Sequence, residues 1–220
     1  MDAILFGSIG TLVETSELQR QSFNLAFKEV GLDWYWNTAT YCKLITEPGG
    51  MKRIKNYSEN NLSEPEIKNI HALKEQYFAK LVPEKLYLRP TVQEVINYAL
   101  KARLKLGFIT TTSNSNIELI EAGIKKQLDL NIFDLVTTVS DVSKPKPDPE
   151  IYEFALKKLK LSPQNAIVVE DTPVNQLCAS NAGLKCVLFP GEYAEIPPEN
   201  RYNTLTYNLM DKLEPELKTI

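Results

Sequence analysis

Short apolar runs alternate with amphipathic stretches along much of this chain. Ala3 to Phe6 is an apolar run with no period of its own, which predicts a buried strand of a parallel sheet. Further apolar runs lie at 106–109, 135–139, 166–169 and 186–189, and stretches with helical spacing lie at 92–102, 116–125, 148–159 and 173–182. Strands that alternate with helices predict an α/β fold with a doubly wound parallel sheet of the Rossmann-like kind.

Residues 15–86 have a different pattern, because no stretch in them has the character of a strand. The predicted helices cover 17–30, 38–46, 51–57 and 63–81. Gly31 is placed to end the first of these helices, and Ser63 with Glu66 forms a capping box that opens the last. The sequence therefore predicts an all-helical lobe at 15–86, inserted into an α/β core made of residues 1–14 and 87–220.

Composition narrows the classes of protein that this chain can be. It has 220 residues and a net charge of −3, which argues against a nucleic acid or an anionic membrane as the main partner. No apolar run approaches the roughly 18 residues of a membrane span. Cys42, Cys178 and Cys186 match no metal-ligand spacing and indicate buried free thiols in a reducing cytoplasm. His71 is the only histidine, so a histidine-dependent triad is nearly excluded.

Polar turns follow the predicted strands, and these turns are the candidate site. The chain places Gly7-Ser8-Ile9-Gly10-Thr11 after the first strand, Thr110-Thr-Thr-Ser-Asn114 after the second, Ser143-Lys-Pro-Lys-Pro-Asp148 after the third and Glu170-Asp171 after the fourth. Ligands of open α/β sheets bind beyond the carboxyl ends of the strands. The first turn bares backbone N–H groups through its two glycines, but it holds no carboxylate, thiol, imidazole or amine.

These motifs, in this order and with a helical lobe after the first, resemble the haloacid dehalogenase (HAD) superfamily across essentially the whole chain. The resemblance is carried by Lys144-Pro145-x-Pro147-Asp148, Val169-Glu170-Asp171-Thr172 and Asn181-Ala-Gly-Leu184. The stretch Glu17-x-x-Arg20-Gln-Ser-Phe23-Asn-x-Ala-Phe27, followed by Gly31-Leu-Asp-Trp34, is similar to the CbbY and β-phosphoglucomutase branch, which acts on phosphorylated sugars. The resemblance implies a HAD-like core with a helical cap and the chemistry of a phosphosugar phosphatase.

The family reaction needs an aspartate nucleophile and an aspartate acid/base in the first turn, where this sequence has Gly7 and Ile9. The other positions that the resemblance implies are present. The phosphate-holding positions correspond to Gly10, Thr11, Thr110, Thr111 and Lys144, the cap contact to the substrate is Arg53, and the metal pair is Glu170 and Asp171. Three further family residues that grip the substrate are replaced, by Gln19, Met51 and Asn114.

We therefore expect a catalytically inactive protein that binds a phosphorylated sugar, phosphate or a protein partner. Mg²⁺ binding is expected to be weak or absent, because Gly7 supplies no carboxylate and Lys144 is expected to pair with Glu170 or Asp171. No other cofactor is expected.

Two other functions stay open from the sequence. A rearranged site would make the chain an active phosphatase or phosphoglucomutase, using Ser8 or a metal-bound water, although Ser8 is expected to point to the opposite face of the strand. A structural or interaction role would use the aromatic surface around Trp34 to Trp36. Plainer interpretations also stand, in which Glu170 and Asp171 cap the helix after Thr172 and the two tryptophans pack inside the lobe.

Overall fold

A computed structural model describes residues 1–46, 49–194, 196, 206 and 208–217. The chain divides into two compact units. One comprises Met1–Glu14, Tyr87–Glu192 and Ile196–Ile220, and the other comprises Thr15–Leu86 with Tyr193–Glu195. Residues 195, 197–205, 207 and 218–220 of the predicted core and residues 47–48 of the predicted lobe lie outside the described residues.

The first unit is built on a five-stranded parallel sheet. Its strands are β1 (Ala3–Phe6), β2 (Lys105–Phe108), β3 (Leu135–Val136), β4 (Ala166–Glu170) and β5 (Lys185–Leu188), in the order β3-β2-β1-β4-β5. β1 is central, pairing Phe6 with Phe108 on one side and with Val169 on the other. The predicted α/β fold class is confirmed, and the turn after β1 contains one helical turn, α1 (Ile9–Leu12).

The second unit consists of helices and connecting loops, with no strand among its described residues. It contains α2 (Ser16–Glu29), α3 (Thr38–Leu44), α4 (Gly50–Tyr57) and α5 (Glu64–Lys85). Gly31 has a left-handed φ of 75° after the end of α2, in the cap position that the sequence predicted. Trp36 is fully buried, with its ring centroid 4.8 Å from that of Phe23 and 4.7 Å from that of Phe27. The packing interpretation of Trp36 is therefore confirmed.

The helices of the first unit are α6 (Val92–Lys101), α7 (Asn114–Ile124), α8 (Glu150–Leu159), α9 (Pro173–Asn181) and α10 (Leu209–Leu217). Buried side chains of α8 and α9 pack against β1 and β4, in a cluster that includes Leu5, Tyr152, Val168 and Cys178. None of the described helices is long and apolar enough to cross a bilayer.

The clearest differences from the prediction are the ends of two elements and one helix that was missed. α5 continues past residue 81, through Pro83, because the buried side chains of Val82 and Leu86 hold its last turn in place. β3 stops at Val136, since the Thr138 hydroxyl accepts the Ser140 amide at 3.3 Å and turns the chain into a 3-10 helix. α10 was not predicted at all.

Candidate functional site

The turn after β1 begins at Gly7, which is held against the next strand. Its amide donates to the Val169 carbonyl at 2.8 Å, so Gly7 continues the β1–β4 pairing by one residue. Ser8 is the N-cap of α1 in an extended conformation, but its hydroxyl makes no cap hydrogen bond. The Ile9 carbonyl accepts the Val13 amide at 3.0 Å. Neither Gly7 nor Ile9 brings a polar side chain to this edge of the sheet.

A buried cluster of three side chains lies beside Gly7. The Lys146 ammonium donates to Glu170 Oε1 at 2.5 Å and to the Tyr152 hydroxyl oxygen at 3.2 Å. It also donates to the carbonyls of Ile109, at 3.0 Å, and of Gly7. The Tyr152 hydroxyl donates to the same Glu170 oxygen at 2.5 Å. One carboxylate oxygen therefore receives both a charged and a neutral donor in the protein interior.

Burial dominates the electrostatics of this cluster. The Glu170 side chain is fully buried, which raises its pKa, and the neighbouring Lys146 ammonium offsets only part of that rise. Burial, with the Glu170 charge adding to it, also raises the pKa of Tyr152 far above its usual range. Burial raises the pKa of the nearby Cys178 thiol to about 11, so it is protonated at neutral pH. Cys178 and Cys186 are buried free thiols as predicted, whereas Cys42 is half-buried.

The cluster corrects one expectation for Lys144, namely its ion pair with Glu170 or Asp171. That side chain is 72% exposed, and its ammonium lies 3.8 Å from Asp148. Lys146, whose side chain is 7% exposed, makes the ion pair with Glu170 instead. The backbone amide of Lys144 donates to a carboxylate oxygen of Glu150 at 2.9 Å, which holds residue 144 at the outer side of the loop.

Gly7 allows the cluster to approach the backbone. A Cβ atom on Gly7 would overlap the Glu170 carboxyl group and the Tyr152 hydroxyl. The position that the resemblance assigns to the nucleophile thus has no side chain, and the space next to its Cα is filled. Gly10 shows the same feature, because a Cβ there would overlap the Asp171 carboxylate and lie 3.0 Å from its Cγ.

Asp171 and Arg89 are further charged groups at this edge of the sheet. Asp171 accepts from the Asn175 side chain at 3.2 Å, while Thr172 is the N-cap of α9 and accepts the Asn175 amide at 3.3 Å. The interpretation of Glu170 as a helix cap is wrong, because Glu170 belongs to β4 and faces Lys146. Sequence reasoning missed Arg89, whose guanidinium donates to the Gly10 carbonyl at 2.7 Å and packs 3.5 Å from the Phe189 ring centroid.

The predicted phosphate-holding hydroxyls stabilise their own turns. The Thr11 hydroxyl donates to the Ser8 carbonyl at 2.7 Å. The buried Thr110 hydroxyl accepts the Thr112 amide at 3.2 Å, which leaves its proton without a partner among the described residues. Thr111 is half-buried. Of the three predicted hydroxyls, Thr11 donates within its own turn, whereas neither Thr110 nor Thr111 donates to a described residue.

The donor set at this edge does not fit a Mg²⁺ ion. Mg²⁺ requires near-octahedral oxygen ligands, and the described residues contain no group of three acidic, cysteine or histidine side chains. Glu170 Oε1 already binds Lys146 and Tyr152. Glu170 Oε2 is buried and makes no hydrogen bond to a described residue. Glu170 thus offers one unpartnered oxygen beside an ammonium group, which is a poor site for a second cation, and one oxygen of Asp171 already accepts from Asn175.

The helical unit holds a separate group of cationic side chains. Lys74, with 5% of its surface exposed, lies 5.3 Å from the Phe23 ring centroid, and its ammonium contacts Glu75 at 2.9 Å. The Arg53 guanidinium lies 5.9 Å from the same ring. Burial lowers the pKa of Lys74, of Arg53 and of His71, and for Lys74 and His71 the Arg53 charge lowers it further. Arg53 was predicted as a ligand contact; Lys74 and His71 were not.

Similarity to known proteins places the chain in a family. The sequence model of the haloacid dehalogenase-like hydrolases matches residues 4–189, so this chain belongs to that family. Protein CbbY of Cereibacter sphaeroides is 36% identical over 197 residues, covering 88% of this chain and 86% of that protein. The phosphorylated carbohydrates phosphatase of Thermotoga maritima is 27% identical over 220 residues, covering 93% and 98%. The predicted CbbY-like branch is confirmed.

Solved structures of the same branch have the same fold. CbbY from Rhodobacter sphaeroides in complex with phosphate has a TM-score of 0.79 at 33% identity, with 96% of each chain covered. A mutant of that protein in complex with xylulose-(1,5)bisphosphate has a TM-score of 0.78 at 33% identity, with 94% of each chain covered.

Proposed function

We propose that this chain is a CbbY-like member of the HAD family that has lost phosphatase chemistry and binds a phosphorylated sugar in the cytoplasm, with the helical unit as its cap. Gly7 is the observation that carries the proposal: the nucleophile position has no carboxylate, and its Cβ space is filled by Glu170 and Tyr152. Without a nucleophile the covalent route is closed. Loss of the acid/base at Ile9 would by itself cost roughly 10²–10⁴-fold in rate.

Ser8 is a poor replacement nucleophile. A serine hydroxyl needs an adjacent base to be activated. Ser8 Oγ is buried and makes no hydrogen bond to any residue in the described part of the chain. This supports a binding role over a rearranged enzyme.

The cations of the helical unit support a phosphorylated ligand. Arg53 and Lys74 lie over the same aromatic ring, and the acidic partner of Lys74, Glu75, has a side chain that is 43% exposed. An anion bound beside Phe23 would contact the positive charges of both Arg53 and Lys74. Because Lys74 is buried and Arg53 partly desolvated, charge-assisted hydrogen bonds to that anion would be strong. The CbbY structures with phosphate and a sugar bisphosphate make this ligand class the first to test.

The surface proposed for a protein partner has less support. Of the three aromatic residues from Trp34 to Trp36, Trp36 is fully buried and Trp34 half-buried, which leaves Tyr35 as the exposed one. A docking surface of that kind would offer one aromatic side chain. Ligand binding is therefore the better-supported role.

Turnover is the first test. Phosphate release from a panel of sugar phosphates, with Mg²⁺ present, is expected to stay at the rate of the buffer. Release at an enzyme-like rate that persists after repurification and disappears in a Glu170→Gln variant would contradict the proposal and favour the rearranged enzyme.

Binding is the second test, by calorimetry with xylulose 1,5-bisphosphate and with inorganic phosphate. Lys74→Met is expected to weaken binding of the bisphosphate at least about tenfold, the loss of one charge-assisted hydrogen bond. Lys68→Met is the matched control, because Lys68 is an exposed lysine of the same helix. Equal affinities of the two variants, or no binding by the wild type, would contradict the proposal.

A further inference from the structure

The buried cluster beside Gly7 is more than a remnant of a lost site. Its three side chains come from different parts of the chain: Lys146 from the loop after β3, Tyr152 from α8 and Glu170 from the end of β4. Their polar atoms meet within 2.5–3.2 Å around one carboxylate oxygen. A fully buried carboxylate requires a counter-ion, since an unpaired charge in a protein interior is strongly unfavourable.

We infer that the Lys146 ammonium takes the place of a divalent cation at this edge of the sheet, so that the site is charge-balanced by the chain itself and closed to Mg²⁺. The ammonium has the coordination expected of such a substitute. It is surrounded by four oxygens: a carboxylate, a phenol hydroxyl and two backbone carbonyls. Gly7 is required for this arrangement, because any larger residue would displace the Glu170 and Tyr152 groups that bind Lys146.

The loop before α8 contains an internal control for this inference. Lys144 and Lys146 are two residues apart in the same Lys-Pro-Lys-Pro segment, yet the first side chain is 72% exposed and the second 7%. Lys144→Met and Lys146→Met therefore make the same chemical change in the same loop. Only the second removes a charge from the buried cluster.

The experiment measures the midpoint of thermal unfolding in EDTA and in millimolar MgCl₂. Wild type and Lys144→Met are expected to have the same midpoint in both solutions. Lys146→Met is expected to unfold roughly 10 °C lower in EDTA, and Mg²⁺ is expected to recover part of that loss because Glu170 again needs a cation. This inference does not depend on sugar binding by the helical unit, so the two proposals fail separately.

Three results would overturn the inference. The first is equal stabilisation of the wild type and of Lys146→Met by Mg²⁺. The second is no effect of Mg²⁺ on Lys146→Met, and the third is the same unfolding midpoint for the two lysine variants. If Lys146→Met does not fold, Lys146→Met/Glu170→Gln serves instead, with both charges removed. Its midpoint is expected within a few degrees of the wild type and unaffected by Mg²⁺; a response to Mg²⁺ in that variant would also contradict the inference.

Discussion

Each unit of this chain has a lysine whose side chain is almost fully buried, and these two lysines have opposite surroundings. The side chains of Lys146 and Lys74 are 7% and 6% exposed. Lys146 faces a fully buried carboxylate and two backbone carbonyls. Lys74 faces two aromatic rings, at 5.3 and 5.1 Å, and a glutamate that is itself 43% exposed.

Burial alone therefore does not identify a binding residue. The charge of Lys146 is balanced by the Glu170 carboxylate inside the protein, so it is not available to bind an external anion. Burial lowers the pKa of Lys74, and the charge of the nearby Arg53 lowers it further. A region that concentrates like charges in a desolvated place is less stable without an anion than with one. We therefore propose that Lys146 stabilises the core unit, whereas Lys74 and Arg53 in the helical unit bind an anionic ligand.

Among substitutions that test the difference between the two lysines, we expect the largest loss of stability when the Lys146–Glu170 ion pair is removed. Lys146→Met should lower the free energy of unfolding by about 3–5 kcal/mol, because it leaves Glu170 as an unpaired buried charge. Lys146→Met/Glu170→Gln should recover most of that loss, since neither charge remains. Urea unfolding of the two single variants and the double variant forms a cycle whose coupling energy measures the pair. Additive effects would show that the ion pair is not formed.

Restoring the missing nucleophile should have the next largest effect. Gly7→Asp is expected to lower the free energy of unfolding by about 1–3 kcal/mol, because its Cβ overlaps the Glu170 carboxyl and the Tyr152 hydroxyl. Gly7→Asp/Ile9→Asp should therefore remain without phosphatase activity, although it contains both family aspartates. Ile9→Asp alone is the control for stability.

Tyr152→Phe tests whether the Tyr152 hydroxyl contributes to the stability cost of Gly7→Asp. It removes the hydroxyl that fills the Gly7 position and should reduce the stability cost of Gly7→Asp by at least about a third, judged by the same urea titration. Phosphatase turnover in Gly7→Asp/Ile9→Asp without any change at Tyr152 would contradict the claim that the nucleophile position is filled.

Local pattern was enough to predict most of the fold. Apolar runs such as Ala3–Phe6 have no amphipathic period, because both faces of a parallel strand are covered. The positive φ of Gly31 follows from its position directly after an amphipathic helix. The position of the site at the carboxyl ends of the strands follows from the topology alone.

The inward-facing lysine could not be predicted in the same way. Lys144 and Lys146 stand in equivalent Lys-Pro pairs, and the choice between them depends on hydrogen bonds that fix the loop, such as the one between the Lys144 amide and Glu150. The role of Tyr152 also required the tertiary structure, because its hydroxyl meets a strand 18 residues away.

Lys74 is different, since the sequence contained a signal for it. Ile67, Ile70, Lys74 and Phe78 follow one another on α5 at spacings of three, four and four residues, and all four are buried. Lys74 therefore lies within the apolar stripe of the helix. A lysine at an apolar position of an amphipathic helix indicates a buried cation.

The smallest expected effect concerns a glutamate of the helical unit. The pKa of Glu17 is lowered from 4.5 to about 2, chiefly by hydrogen bonds from Arg20, with Tyr193 and Gln21 as further donors. A group with a lowered pKa stabilises the fold above its unfolded pKa and loses that contribution as the pH falls toward the folded value. The contribution of Glu17 is therefore complete above about pH 5 and is lost between about pH 5 and 2.

Glu17→Gln tests this dependence. The side chain is 34% exposed, so solvent screening limits the expected loss at pH 7 to about 1 kcal/mol or less. Urea unfolding of wild type and variant from pH 7 to pH 3 should show the difference shrinking as the pH falls. Glu118→Gln, an exposed glutamate of α7, should show no such convergence. A difference that grows toward low pH would contradict this prediction. It would mean that the hydrogen bonds from Arg20 and Tyr193 to Glu17 do not stabilise the ionised form of the carboxylate.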